Sequence, residues 1–152
     1  MRYNLSVFWF RRDLRLHDNH GFFKALDKSK SVLPIFIFDT NILDELNEND
    51  RRVSLLFDRL KELNVELAKQ GKKIHIYYGD PKLIFNELYD KLSFDAVFTN
   101  TDYEPYATKR DESIKFSLSK KKVKFSSFKD QVIFEKDEIL TAEGKVYGCL
   151  LY

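Results

Sequence analysis

The run Val32-Leu33-Pro34-Ile35-Phe36-Ile37-Phe38 constrains the fold of this chain more than any other segment. It is apolar at nearly every position, so it lacks the in-out alternation of a strand with one wet face. A strand of this kind is covered on both faces, as happens in a parallel sheet flanked by helices. Pro34 has no N–H to offer a neighbouring strand, and it falls early in the run, where a strand tolerates it best. Four shorter runs, Leu5 to Phe10, Lys73 to Tyr78, Ala96 to Thr99 and Val123 to Ser126, supply further strands.

Segments of helical period lie between these runs: His20 to Ser29, Asp50 to Gln70, Pro81 to Leu92 and Tyr106 to Lys120. In the longest, Val53, Leu56, Phe57, Leu60, Leu63 and Leu67 recur at steps of three and four and predict one buried stripe. Gly71 ends it. Asp80 followed by Pro81 is an N-cap with proline at the first helical position, and Leu83, Ile84, Leu88 and Leu92 are the expected buried face of the helix it opens. Strand and helix alternate with short joins. The expected class is therefore α/β, a five-stranded doubly wound parallel sheet with helices on both faces. With 152 residues and 43% hydrophobic content, the chain can build one sizeable core and one domain.

Composition excludes several functions. The 26 basic residues nearly balance the 24 acidic ones, so there is no general electrostatic case for nucleic-acid binding. The lysines at 120, 121, 122 and 124 read as a solvated helix end. Cys149 is the only cysteine, which rules out an internal disulfide and a Cys-based zinc site. No apolar run approaches the ~20 residues of a membrane span, and no signal peptide opens the chain. A cytoplasmic protein is expected. Glycine occurs only at 21, 71, 79, 144 and 148, so neither a G-x-G-x-x-G turn nor a Walker A loop can follow any strand. His17, His20 and His75 complete no zinc triad, and no serine sits in a nucleophile elbow.

Two polar clusters remain. The first, Arg11, Arg12, Asp13, Arg15 and Asp18, follows the first strand. It reads either as a salt-bridged loop capping a helix through Asp18 or Asn19, or as guanidinium donors for an anionic or heteroaromatic ligand or another domain. The second, Asn100 to Asp111, follows the fourth strand. Its plain reading is helix capping behind Pro105, with Arg110 and Asp111 on a solvated face. Strand ends of a parallel sheet share one edge, so the two clusters together predict a cleft.

Phe10-Arg11-Arg12-Asp13-Leu14-Arg15-Leu16-His17-Asp18-Asn19, Ile37-Phe38-Asp39, Arg52 at the head of a leucine-rich helix, Gly79-Asp80-Pro81, and Asp102-Tyr103-Glu104-Pro105-Tyr106 with Arg110-Asp111 are similar in order and spacing to one known domain. Over about Val7 to Tyr147 the chain resembles the N-terminal antenna domain of DNA photolyases and cryptochromes. The resemblance implies a Rossmann-like domain over residues 1–147 that holds a light-harvesting chromophore. It also implies a parent protein whose helical C-terminal domain binds FAD and damaged DNA and repairs pyrimidine dimers by light-driven electron transfer. That second domain is absent from these residues, and Gly148-Cys149-Leu150-Leu151-Tyr152 is expected to be the truncated start of the linker.

By the same resemblance, Arg11, Phe36, Arg52, Val53, Asp102 and Glu104 are the expected chromophore contacts. Phe36 would stack on a ring, the carboxylates would accept from ring nitrogens or ribityl hydroxyls, and arginine would answer carbonyls or phosphate. Arg12, Asp13, Arg15 and Asp18 are expected to face the second domain. Deazaflavin or FMN is favoured over folate, because Tyr106 and Ala107 stand where folate-binding members carry an Asn-Glu pair. The isolated chain is not expected to repair DNA or to bind it except through the parent. Alternatives on the same architecture are a freestanding nucleotide-binding module and a protein-interaction module.

Overall fold

The computed structural model describes residues 2–135, 138–141 and 143–145. Its elements run β1 (Tyr3–Phe10), α1 (His20–Lys28), β2 (Ser29–Asp39), α2 (Thr40–Leu43), α3 (Arg51–Ala68), β3 (His75–Gly79), α4 (Pro81–Leu92), β4 (Ala96–Asn100), α5 (Pro105–Ser119) and β5 (Lys124–Phe128). The strands form one sheet in the order β3-β2-β1-β4-β5, and every pairing is parallel. β1 is central. Its exit leads through α1 to β2 on one side, whereas β4, on its other side, leads through α5 to β5. The β1/β4 boundary is thus the switch point where a doubly wound sheet opens a crevice at its carboxyl edge.

Residues of β1 alternate between two cores. Val7 and Trp9 join Ile84, Phe85 and Leu88 of α4 and Ile114 and Leu118 of α5. Phe8 and Phe10 join Ala25 of α1 and Leu60, Leu63 and Leu67 of α3. Both faces of the strand are dry, as the unbroken apolar runs require. Trp9 meets Phe85 edge-on, with ring centroids 5.1 Å apart.

Caps set the helix starts. Asn19 accepts from the Phe22 N–H at 3.0 Å, Asp50 from that of Arg52 at 2.8 Å, and Asp80 from those of Lys82 and Leu83 at 2.8 and 3.2 Å. Asn19, not Asp18, caps α1. Gly71 takes a left-handed φ of 66° behind α3, and Lys72 donates back to the Leu67 carbonyl at 3.0 Å, so the helix is closed as well as ended.

Several boundaries and faces differ from expectation. β2 begins at Ser29, directly behind α1, rather than at Val32. Ser29 pairs with Tyr3 in the ladder, and its hydroxyl hydrogen-bonds that of Ser6, so strand partners recruit a polar segment that carries no apolar signal. Pro34 lies inside this longer strand, but β3 pairs with β2 only from Ile35, so Pro34 has a neighbour on one side alone. Leu83 and Leu92 are exposed, and Phe85 takes their place in the buried face of α4. Phe57 is 46% exposed, with the Lys61 ammonium over its ring at 4.4 Å, while Leu60, Leu63 and Leu67 of the same stripe are buried. The turn at Glu143-Gly144-Lys145 is present, with the Thr141 N–H donating to the Lys145 carbonyl at 2.7 Å. The 148–152 segment, with Cys149, lies outside the described residues.

Candidate functional site

The loop after β1 is held from beneath by a buried polar network. Asp13 accepts from the Arg11 N–H at 2.8 Å, from Asn100 Nδ2 at 2.6 Å and from Asn19 Nδ2 at 3.3 Å. Asn100 also donates to Asn19 Oδ1 at 2.8 Å and accepts the Gly21 N–H at 2.9 Å. Asn19 donates to the Arg15 carbonyl at 3.2 Å. A Cβ on Gly21 would strike Asn100 Oδ1 and come within 3.1 Å of the Thr99 carbonyl, so α1 can start this close to β4 only with glycine there. Asp13, expected on a domain surface, is buried with both oxygens engaged; its task is to fix the loop.

Above this network lies a cleft of about 400 Å³ at the carboxyl edge of the sheet. Its size falls within the ~300–1,000 Å³ of small-molecule sites. Arg11, Phe36, Arg52, Val53, Asp102 and Glu104 all line it. The sheet brings them together from four segments of the chain: the carboxyl halves of β1 and β2 with the loop after β1, the start of α3, and the β4–α5 loop. Phe36 and Phe38 meet edge-on at 4.9 Å on one wall, and Ile42, Leu43 and Leu46 complete an apolar side.

The floor is ionic. The Arg11 guanidinium lies over the Trp9 ring at 4.1 Å and pairs with Asp111 at 2.8 Å. That of Arg110 lies over the same ring at 4.7 Å and bridges Asp39 at 3.3 Å and Asp111 at 3.2 Å. Tyr106 donates its hydroxyl to Asp39 at 2.8 Å, and burial together with that bond pushes the phenol up to about 12. Burial pushes the Arg11 guanidinium below its ordinary value, against the opposing pull of Asp111. Arg11 Nε is the one buried side-chain polar atom among the described residues with no partner. Buried donors are nearly always satisfied, so this sealed N–H is an exception in the floor.

Trp9, Asp39, Tyr106, Arg110 and Asp111 were not among the expected contacts. Arg110 and Asp111 face inward rather than solvent. The available signal was the i, i+4 spacing of Tyr106 and Arg110, which puts them on one helix face.

At the rim, Arg12 donates to Asp102 at 2.9 Å and to Glu104 at 2.8 Å, tying the loop after β1 to the loop after β4. Partial burial lowers its pKa, but the bonds to Glu104 and Asp102 outweigh this and the net shift is upward. Arg12, expected at a domain interface, also lines the cleft. Arg52 folds back on its own cap, Asp50, at 2.6 Å, and that pairing lowers Asp50 to about 2.

Arg15 and Asp18 sit elsewhere. Arg15 donates to the Asp18 carbonyl at 2.8 Å and to Asp130 at 2.7 Å. Both border a second, shallower groove with His17, His20, Phe23 and Leu26. Asp18 has a left-handed φ of 50°. His17 lies 3.3 Å from Glu66, and no group that could hold a metal exists among the described residues. Nor is any helix among them long and apolar enough to cross a membrane. Lys121 is not free: it pairs with Asp90 at 2.7 Å.

Comparison with known proteins agrees with this architecture. The family described as DNA photolyase matches residues 6–150. A deoxyribodipyrimidine photo-lyase of Synechococcus is 33% identical over 142 residues, covering 93% of this chain and 29% of that protein. Cryptochrome-1 of Drosophila melanogaster is 34% identical over 116 residues, covering 72% of this chain and 21% of its own length. Among solved structures, the archaeal photolyase of Sulfolobus tokodaii, described with two FAD molecules, matches with a TM-score of 0.80 at 31% identity. That match covers 90% of this chain and 32% of the Sulfolobus chain, in its N-terminal part. The chain thus spans a third or less of the length of these relatives. A match across residues 6–150, joined to the shared five-stranded parallel fold, establishes that this chain belongs to the DNA photolyase family and corresponds to its N-terminal α/β domain.

Proposed function

We propose that this chain is the antenna domain of a photolyase or cryptochrome and that its cleft holds a flavin-type chromophore, deazaflavin, FMN or the flavin of FAD. The observation that carries the reading is the convergence of Arg11, Phe36, Arg52, Val53, Asp102 and Glu104 on one cleft with an apolar wall and an ionic floor. Phe36 and Phe38 offer a stacking wall. The Arg11 guanidinium places a fixed positive charge in the lining, suited to a ring carbonyl. Asp102 and Glu104 stay within reach as acceptors despite their bonds to Arg12, because a carboxylate has about four lone-pair sites. Arg52, held only by an exposed pair with Asp50, is free to swing toward a phosphate at little cost. The second FAD in the description of the Sulfolobus relative supports a flavin over folate.

A bound chromophore of this class absorbs light and passes excitation to an acceptor. The acceptor in the parent would be FAD in a C-terminal helical domain, which would also contact damaged DNA. The residues of this chain bind, orient and shield; none is placed to break a pyrimidine dimer. The test is to titrate the purified chain with deazaflavin, FMN and a reduced folate, following visible absorbance and Trp9 fluorescence quenching. Flavin or deazaflavin retention at one equivalent is expected. Retention of folate alone, or of none of the three, overturns the reading.

A further inference from the structure

Trp9 is the only tryptophan of the chain, and it lies in the lining of the cleft with two guanidinium groups over its ring. An indole at this position is a hazard for any excited ring bound nearby. One electron can leave the indole and fill the vacancy in the excited ring, giving an indole radical cation and a singly reduced ring. The two then recombine without emission, no atom having moved, and the excitation is lost as heat. We propose that Arg11 and Arg110 hold Trp9 against this one-electron oxidation, so that the indole shapes the cleft without quenching its ligand. The inference deepens the antenna reading and rests on it for its biological purpose, but the property it assigns to Trp9 does not.

The argument is electrostatic. In the ground state each cation is attracted by the negative face of the indole. Removing an electron from the ring abolishes that attraction and replaces it with repulsion from two positive charges at 4.1 and 4.7 Å. Asp39 and Asp111 balance these charges overall, but as hydrogen-bond acceptors they meet the guanidiniums at their N–H edges, while the charge centres lie over the ring. The site is dry: Trp9 is 2% exposed, so water does little to screen a hole on the indole. Arg110 also covers Tyr106 at 5.5 Å, which protects the other oxidisable ring of the cleft in the same manner.

The test compares wild type with Arg110→Gln and Arg110→Lys, each also combined with Trp9→Phe or Tyr106→Phe. The paired change Asp39→Asn with Arg110→Gln keeps the charge balanced should the single glutamine variant fail to fold. In the FMN-loaded chain, the fluorescence lifetime is expected to shorten about tenfold on Arg110→Gln, as the repulsion that opposes the hole is halved. Trp9→Phe should restore it and Arg110→Lys should retain it. Without any flavin, azide radicals generated by pulse radiolysis oxidise the protein, and the hole divides between tyrosines and Trp9. The ratio of the hole on Trp9 to that on the tyrosines should rise about tenfold in the glutamine variant, the factor that corresponds to about 59 mV for one electron. An unchanged share, or a lifetime restored by Tyr106→Phe rather than Trp9→Phe, overturns the proposal. If neither FMN nor deazaflavin is retained but the radical share shifts, the antenna reading fails and the protection of Trp9 stands.

Discussion

Replacing Gly21 by alanine sets two large effects against each other. Alanine is the better helix former, and in an exposed helix interior it would stabilise by about 1 kcal/mol. At residue 21, however, the new methyl would strike Asn100 Oδ1 and sit 3.1 Å from the Thr99 carbonyl. Overpacking of this kind costs about 1–3 kcal/mol. Pushing Asn100 aside also stretches the Gly21 N–H to Asn100 bond of 2.9 Å and leaves buried polar groups unpaired, a further loss of about 1–3 kcal/mol. The expected net is destabilisation by about 1–5 kcal/mol, which for a chain of this size lowers Tm by about 2–20 °C. Urea titration followed by far-UV circular dichroism and Trp9 fluorescence measures it. Repeated in an Asn100→Ala background, where the obstructing side chain is gone, Gly21→Ala should cost less than about 1 kcal/mol. Stabilisation in the wild-type background, or an equal penalty in both, would refute the packing argument. Because Asn100 holds Asp13 and Asp13 holds Arg11, the same variant should also loosen the cleft floor and weaken flavin binding.

Alkaline pH probes the floor directly. The folded Tyr106 phenol titrates at about 12 against an ordinary 10.0, and Tyr103, raised by burial and by its bond to Glu135, behaves alike. Folding therefore favours the protonated phenols; their contribution is whole below pH 10 and disappears as pH rises through about 12. Tyr106→Phe should flatten part of the fall in Tm across that window, and an unchanged profile would contradict the Tyr106–Asp39 bond. Arg12→Ala addresses the rim. Arg12 is 55% exposed, so folding free energy should move by less than about 1 kcal/mol. The Kd for FMN should nonetheless rise about tenfold, since Asp102 and Glu104 lose their counter-charge, and an unaltered Kd would remove Arg12 from the binding site.

The sheet was legible because its strands are buried on both faces and so write themselves as apolar runs. What the sequence hid was set by tertiary partners. Ser29, Lys30 and Ser31 join β2 because β1 begins early enough to pair with Ser29 and Ser31, not because of their own preference. α2 is a four-residue turn started by the Asp39 carboxylate, too short to show any period. Leu83 and Leu92 satisfy a three-four spacing, but α4 is rotated so that Ile84, Phe85 and Leu88 meet the sheet. In the cleft, the family resemblance marked Arg11, Phe36, Arg52, Val53, Asp102 and Glu104, and all of them line it. Charge alone could not separate Asp13, sealed in an amide network, from Arg12 on the rim, nor show Arg110 turned inward onto Trp9.

The Arg12 bridge to Asp102 and Glu104 has a consequence for how this architecture can change. By closing the two loops over the switch point, it shifts the usable space toward β2, α2 and the first turn of α3. The pocket then has a floor locked to the sheet and a wall drawn from residues 42–56, whose side chains at Ile42, Leu43, Leu46, Val53 and Leu55 carry none of the floor's ion pairs. Width and shape can be retuned on that wall one apolar residue at a time while the charges below keep their register. A single scaffold could in this way accept ring systems of different breadth, with ligand choice and fold stability varied on separate sets of residues.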